Sequence, residues 1–289
     1  MGVGAIAAMG SGSVEAFGTS VVYGPSAKEL VLLTSKLIAK EGEESYCIVG
    51  PKQEGAGRKL MYGTRDEYED DGQNRAIPIS SGGDMQSALT KAETLFLVCY
   101  DSPIEESALT TLMNNAGSGL SKVVLLSKMG ASVGGGGFFG GGSKLADGEK
   151  SVRSICKSKN LDLSIVRAGQ LKGGGPGEPN ANDFGLSVSY YNTLFELSEA
   201  ACTMSHDRFT LGVDCFPGDS VEQPNPLALF GTKTSFDAYP YDTNRINAAM
   251  ACVMAAKHDK PVEFSVGSAK AEAPPSQEEW AEILTKMEV

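Results

Sequence analysis

TSVVYGPSAKELVLLTSKLIAKEGEESYCIVGP, residues 19–51, is the stretch that decides the fold. Its β-branched pair Val21 and Val22 meets Gly24. Leu30, Leu33, Leu37 and Ile38 then recur at helical spacing. A charged, glycine-containing turn leads into a second apolar run, Tyr46 to Val49. Period two giving way to period 3.6 and back again predicts strand, helix, strand, a βαβ unit.

Outward from this unit the alternation continues. Residues 57–80 are polar and acidic until Ile77 and Ile79, and MQSALTKA (85–92) has the spacing of a short helix. ETLFLVCYDSP (93–103), KVVLLSKMGAS (122–132) and LDLSIVRAGQL (161–171) read as buried strands. The helical segments IEESALTTLMNNAGSG (104–119) and LADGEKSVRSICKSKN (145–160) lie between them, the latter opened by the glycine-rich GGGGFFGGGSK (134–144). From about Gly173 the strand signals weaken. YDTNRINAAMACVMAAKHDKPVEFSVG (241–267) reads as helix then strand, SAKAEAPPS (268–276) as a loop, and QEEWAEILTKM (277–287) as a closing helix. Ser276 is placed to cap that helix, with Glu278 and Glu279 in its first turn. Buried strands alternating with helices imply an α/β fold: a doubly wound, mostly parallel Rossmann-type sheet covered on both faces, with a small C-terminal extension. No linker separates independent domains. The expected organisation is an N-terminal arm, 1–19, and a single domain, 20–289, divided into a nucleotide-binding core (20–172) and a C-terminal substrate lobe (173–289).

Of the 289 residues 41% are hydrophobic and 21% charged, and the net charge is −11. That balance argues against nucleic acid, which needs clustered Lys and Arg, and against electrostatic adhesion to anionic lipid. The six cysteines are scattered without metal-ligand spacing and read as reduced residues, most of them in apolar runs. With only His206 and His258 in the chain, neither a zinc site nor a Ser-His-Asp triad is expected. No window reaches the roughly 18 apolar residues of a membrane span, so any membrane association would be peripheral, through a complex. The first 19 residues lack charge until Glu15. They suit a strand lead-in, a disordered arm or a targeting remnant. The Ala16-Phe17 step resembles the processing junction of plastid proteins in secondary-plastid algae, which makes the plastid stroma one expected location and the cytoplasm the other.

The order of these segments, over roughly Ser20 to Met287, resembles the NmrA-like, atypical branch of the short-chain dehydrogenase/reductase family. LSIVRAGQL is similar to the family's strand ending in an Arg-x-Gly turn, here Arg167, Ala168 and Gly169. The 241–267 segment is similar to the helix and strand that close its substrate lobe. KVVLLSKMGAS resembles the fifth strand, with Ser127 where active members carry the catalytic serine.

The resemblance implies an NAD(P)-binding domain with degenerate motifs. Family members carry G-x-x-G-x-x-G at the first strand-to-helix turn, where glycines let the backbone approach a pyrophosphate. Here Gly24 is kept, Ala27 and Leu30 stand at the other glycine positions, Pro25 removes an amide, and Glu29 adds a like charge in the first helical turn. Gly24, Ser26 and Ala27 would form what is left of the cofactor loop. After the second strand, Lys52 and Arg58 would favour the 2′-phosphate of NADP if a dinucleotide binds; a plain turn and a solvated loop are the alternative readings. The proton-transfer pair Tyr-x-x-x-Lys is incomplete, because Lys144 has Gly140 four residues before it. Ser127 and Lys144 are the remaining catalytic candidates. Arg167 either bonds structure together or faces a ligand, with structure the favoured reading. Two functions follow: a non-catalytic scaffold, assembly factor or accessory subunit of a larger complex of protein partners, which the residues favour, or an NADP-dependent oxidoreductase with a non-standard site. An NADPH-reading redox sensor lies between them.

Overall fold

The computed structural model describes residues 17–26, 28–55, 76–132, 141–172, 212–219, 242–269, 271 and 274–289. The first unit is as the periodicity predicts: β1 (Ser20–Tyr23), α1 (Lys28–Lys40), β2 (Ser45–Ile48). Then follow β3 (Ala76–Ile79), α2 (Gly82–Lys91), β4 (Thr94–Val98), α3 (Glu106–Asn115) and β5 (Lys122–Lys128). The chain continues with α4 (Gly141–Lys159), β6 (Asp162–Ala168), β7 (Gln170–Lys172) and β8 (Gly212–Pro217). It closes with β9 (Asp242–Asn244), α5 (Arg245–Lys257), β10 (Glu263–Ala269) and α6 (Gln277–Thr285).

Among the described residues, eight strands form one sheet in the order β3-β2-β1-β4-β5-β6-β10-β8, all parallel except β8, which runs antiparallel to β10. A separate parallel pair joins β7 to β9. This is the doubly wound Rossmann-type sheet, and its strand order reverses between β1 and β4. In such sheets the crevice outside the carboxyl ends of the strands, at that reversal, is where ligands bind.

The strands are apolar on both faces because both faces are covered. In β4, Phe96 and Val98 enter the core shared with α1, α5 and α6, while Leu95 and Leu97 enter the one shared with α2, α3 and α4. Helix α5 is apolar nearly all round, AAMACVMAA, and is buried nearly all round. Its last turn is closed by Lys122, whose Nζ donates to the carbonyls of Ala256 and His258 at 2.7 Å each. At α6, Ser276 caps as expected: its Oγ accepts from Glu279 N–H at 3.2 Å, and its own N–H donates to the Glu279 carboxylate at 2.7 Å.

Some boundaries differ from the sequence reading. The segment 241–267 starts with strand β9 before its helix, and Asn244 ends the strand by capping α5, accepting from Ile246 N–H at 2.9 Å. Helix α4 begins at Gly141, inside the glycine-rich stretch. Phe17, read within the arm, is buried edge-on against Phe96 with ring centroids 6.1 Å apart. Most of the C-terminal lobe as read from 173 onward lies outside the described residues, as do residues 1–16, Ala27 and Arg58. No described helix is long and apolar enough to cross a membrane.

Candidate functional site at the carboxyl edge of the sheet

The turn after β1 passes close to its neighbours. A Cβ on Gly24 would stand 2.6 Å from the Val98 carbonyl oxygen and 2.8 Å from Val31 Cγ2. Gly24 is therefore required by packing between β1, β4 and α1. Two residues on, the Ser26 hydroxyl donates to the Asp101 carboxylate beyond β4, a bond that spans the strand reversal. The third glycine position holds Leu30, fully buried in the core under α1.

Glu29 sits in the first turn of α1 and is 8% exposed. Burial raises its pKa above the ordinary carboxylate value, and nearby Asp101 adds to the rise. Its own backbone N–H, which donates to the carboxylate, and Arg245 pull the other way without cancelling burial. Arg245 Nε lies 3.9 Å from Glu29 Oε1. The helix terminus that would receive a phosphate thus already holds a carboxyl group of the chain's own. An acid whose folded pKa is raised binds its proton more tightly in the folded state, so it subtracts stability as pH rises above the unfolded value. Glu29→Gln is accordingly expected to raise the unfolding midpoint at neutral pH. The gain should vanish at about pH 4, where the parent carboxyl is protonated. An unchanged or lower midpoint at neutral pH would contradict this.

The structure also brings together a tyrosine and a lysine that no local motif couples. Lys128, at the end of β5, places its Nζ 5.3 Å from the ring centroid of Tyr100, just after β4. The Tyr100 hydroxyl is committed elsewhere, donating to the Gly169 carbonyl at 2.8 Å and accepting from Leu171 N–H at 3.1 Å. Its pKa is pushed up to about 12, chiefly by burial. Proton transfer at neutral pH needs the opposite shift and a free hydroxyl. The pair's geometry is that of a packed cation over an aromatic ring.

Ser127 is buried near the end of β5 and pairs in register with Arg167 of β6. It lines a cavity with Cys99, Ile104, Leu145, Gly148 and Glu149, in which a water has about 10 Å³, room for roughly one molecule. Lys144 is exposed on α4, and Leu145 rather than Lys144 faces that cavity. The two catalytic candidates are not brought together there. Lys52 is exposed in the turn after β2, where the Gly50 amide is taken up by Gln53 Oε1 at 3.1 Å.

Arg167 is fully buried at the hub of an ion network. Nε and Nη2 donate to the two oxygens of Glu149 at 3.0 and 2.6 Å, and Nη2 also reaches Glu263 at 2.8 Å. Asp219 Oδ2 lies 3.7 Å from Nε, and Arg153 donates to Glu263 at 2.6 Å. Nη1 makes no hydrogen bond among the described residues. Network and cavity share Glu149.

No protein-family model matches the chain, and no curated protein matches it. Among solved structures, the fold is similar to a short-chain dehydrogenase/reductase from Veillonella parvula, at 12% identity over 89% of this chain and 98% of that one, TM-score 0.47. It is also similar to Gre2 from Candida albicans in complex with NADPH, at 12% identity over 83% and 75%, TM-score 0.46. Vestitone reductase from alfalfa, Medicago sativa, aligns at 11% identity over 89% and 77%, TM-score 0.46. Likenesses this distant say nothing of chemistry, and the Rossmann-type assignment stands on the strand order itself.

Proposed function

We propose that this protein uses its Rossmann-type fold as a non-catalytic framework, a scaffold, assembly factor or accessory subunit of a larger complex, in place of NADP-dependent oxidoreduction. The observation that carries the reading is Glu29. A buried carboxylate folded onto its own amide, with Arg245 beside it, occupies the helix end that a dinucleotide pyrophosphate would need. Asp101, tied to Ser26, stands across the crevice and adds negative charge. An incoming diphosphate meets acidic groups and an amide already in use. The same reading accounts for a tyrosine whose hydroxyl is spent on backbone and for a serine facing space for about one water.

Thermal unfolding with NADPH, with NADH and with neither tests it. The expected result is a midpoint that moves by no more than about 1 °C up to millimolar dinucleotide. A ligand at a hundred times its Kd would add about 2.7 kcal/mol, worth roughly 5 °C or more for a chain of this size. A rise of that order with either cofactor would overturn the proposal. The partner half of the reading is checked by the native mass of the protein in extracts of its source. It should migrate well above its 30.3 kDa monomer mass.

A further inference from the structure

Asp219 is placed to couple two parts of the chain that are distant in sequence. It follows Gly218, which is itself anchored on β10: its N–H donates to the Glu263 carbonyl at 2.9 Å, and its carbonyl accepts from Ser265 Oγ at 3.0 Å. From this fixed base the Asp219 carboxylate, 4% exposed, reaches the turn between β5 and α4. Oδ1 accepts from Gly130 N–H at 2.7 Å, and Oδ2 accepts from Ser132 N–H at 2.7 Å and from Ser132 Oγ at 2.8 Å. Arg167 Nε lies 3.7 Å from Oδ2. Gly130 has φ +84°, a left-handed conformation that a side chain would strain, and its N–H is one of the two amides bonded to Asp219. The backbone closes the turn once, from Ala131 N–H to the Lys128 carbonyl at 3.1 Å, and Met129 N–H goes to Ala168 at 2.9 Å; the Gly130 and Ser132 amides go to Asp219.

We propose that Asp219 is a conformational clamp, by which the two residues after β8 set the conformation of the turn at 129–132, at the carboxyl edge of the sheet. Both amides are held through a single carboxylate on another part of the chain, so withdrawing that carboxylate releases them together. The contact ties Gly218 and Asp219, just after β8, to the end of β5, where Ser127 and Lys128 stand, and Arg167 Nε lies 3.7 Å from the same carboxylate.

Amide hydrogen exchange on the full chain, followed by NMR, tests the clamp. In Asp219→Ala, exchange at Gly130 and Ser132 is expected to rise by about tenfold or more, while Cys99 and the interior of β5 keep parental protection. Asp219→Asn, which retains one carbonyl acceptor and a similar shape, should leave one of the two amides slow and release the other. Ser132→Ala, which removes only the hydroxyl, should leave both protected. Unchanged exchange at both amides in Asp219→Ala overturns the proposal. So does a rise spread evenly over β4, β5 and β6, which would make Asp219 one more stabilising contact among many.

Discussion

Replacing Arg167 by methionine is expected to lower the unfolding midpoint at neutral pH by roughly 6–15 °C, corresponding to about 3–5 kcal/mol. The guanidinium is fully buried and neutralises Glu149 through two hydrogen bonds while also serving Glu263 and lying close to Asp219. Glu149 is 5% exposed and cannot turn to water when the arginine goes, whereas Asp219 keeps its bonds from Gly130 and Ser132. Glu263, 18% exposed, keeps Arg153. The cost comes from the stranded Glu149 carboxylate, not from lost attraction, because a buried pair taken out whole is often neutral. The double variant Arg167→Met/Glu149→Leu should therefore recover part of the loss. The pH dependence has a definite sign. Burial works to raise the Glu263 pKa, but hydrogen bonds from Arg153 and Arg167 outweigh it and leave the value lowered. A depressed carboxylate supplies stability above its unfolded pKa and loses it as pH falls through the folded one. Parent and variant should converge on acidification. An Arg167→Met chain that melts within about 2 °C of the parent at neutral pH would show that Arg167 is not a structural hub.

The second large effect is expected at Gly24. Gly24→Ala should destabilise the ligand-free protein by about 1–3 kcal/mol, because the new methyl meets a backbone carbonyl that cannot rotate away. The 2.6 Å approach to Val98 joins β1 to β4, and the 2.8 Å approach to Val31 joins both to α1, so relief would require moving a strand or the helix. In a working cofactor loop the glycine's main purpose is approach to phosphate, and a methyl there would cost affinity more than stability. Here the loss should appear in a melt of the protein alone and be the same with dinucleotide present. A variant as stable as the parent would mean that the turn has slack, and Gly24 would again need a ligand to explain it.

The fold was legible because its signals are local. Val21 and Val22, the Leu30-Leu33-Leu37 stripe and the run from Tyr46 to Val49 each depend on neighbours within a few residues. A parallel sheet buried on both faces turns such runs into strands wherever they occur. β3 carried the faintest signal: it is a four-residue strand with Pro78 at the sheet's edge, where a missing N–H is tolerated. The pairing of β7 with β9 carried none: Gln170 and Leu171 read as the end of the strand before them, and three residues each are too few to show a period of their own.

The loss of glycines at Ala27 and Leu30, the charge at Glu29 and the missing tyrosine before Lys144 could all be read from the chain. What each does could not. Glu29 is a solvated first-turn acid until β4 brings Asp101 and α5 brings Arg245 beside it. Tyr100 is an unremarked aromatic until Gly169 and Leu171, about 70 residues away, take both sides of its hydroxyl. Arg167 is an isolated charge in an apolar run until α4, β10 and the segment after β8 converge on it from up to 96 residues away. By itself the sequence determined the order and class of the elements, through hydrophobic period and turn chemistry. Only the tertiary structure decided which ionisable groups are buried together. Burial and pairing are properties of distant segments meeting, and in a low-dielectric interior they set charge, pKa and reactivity more strongly than residue type does.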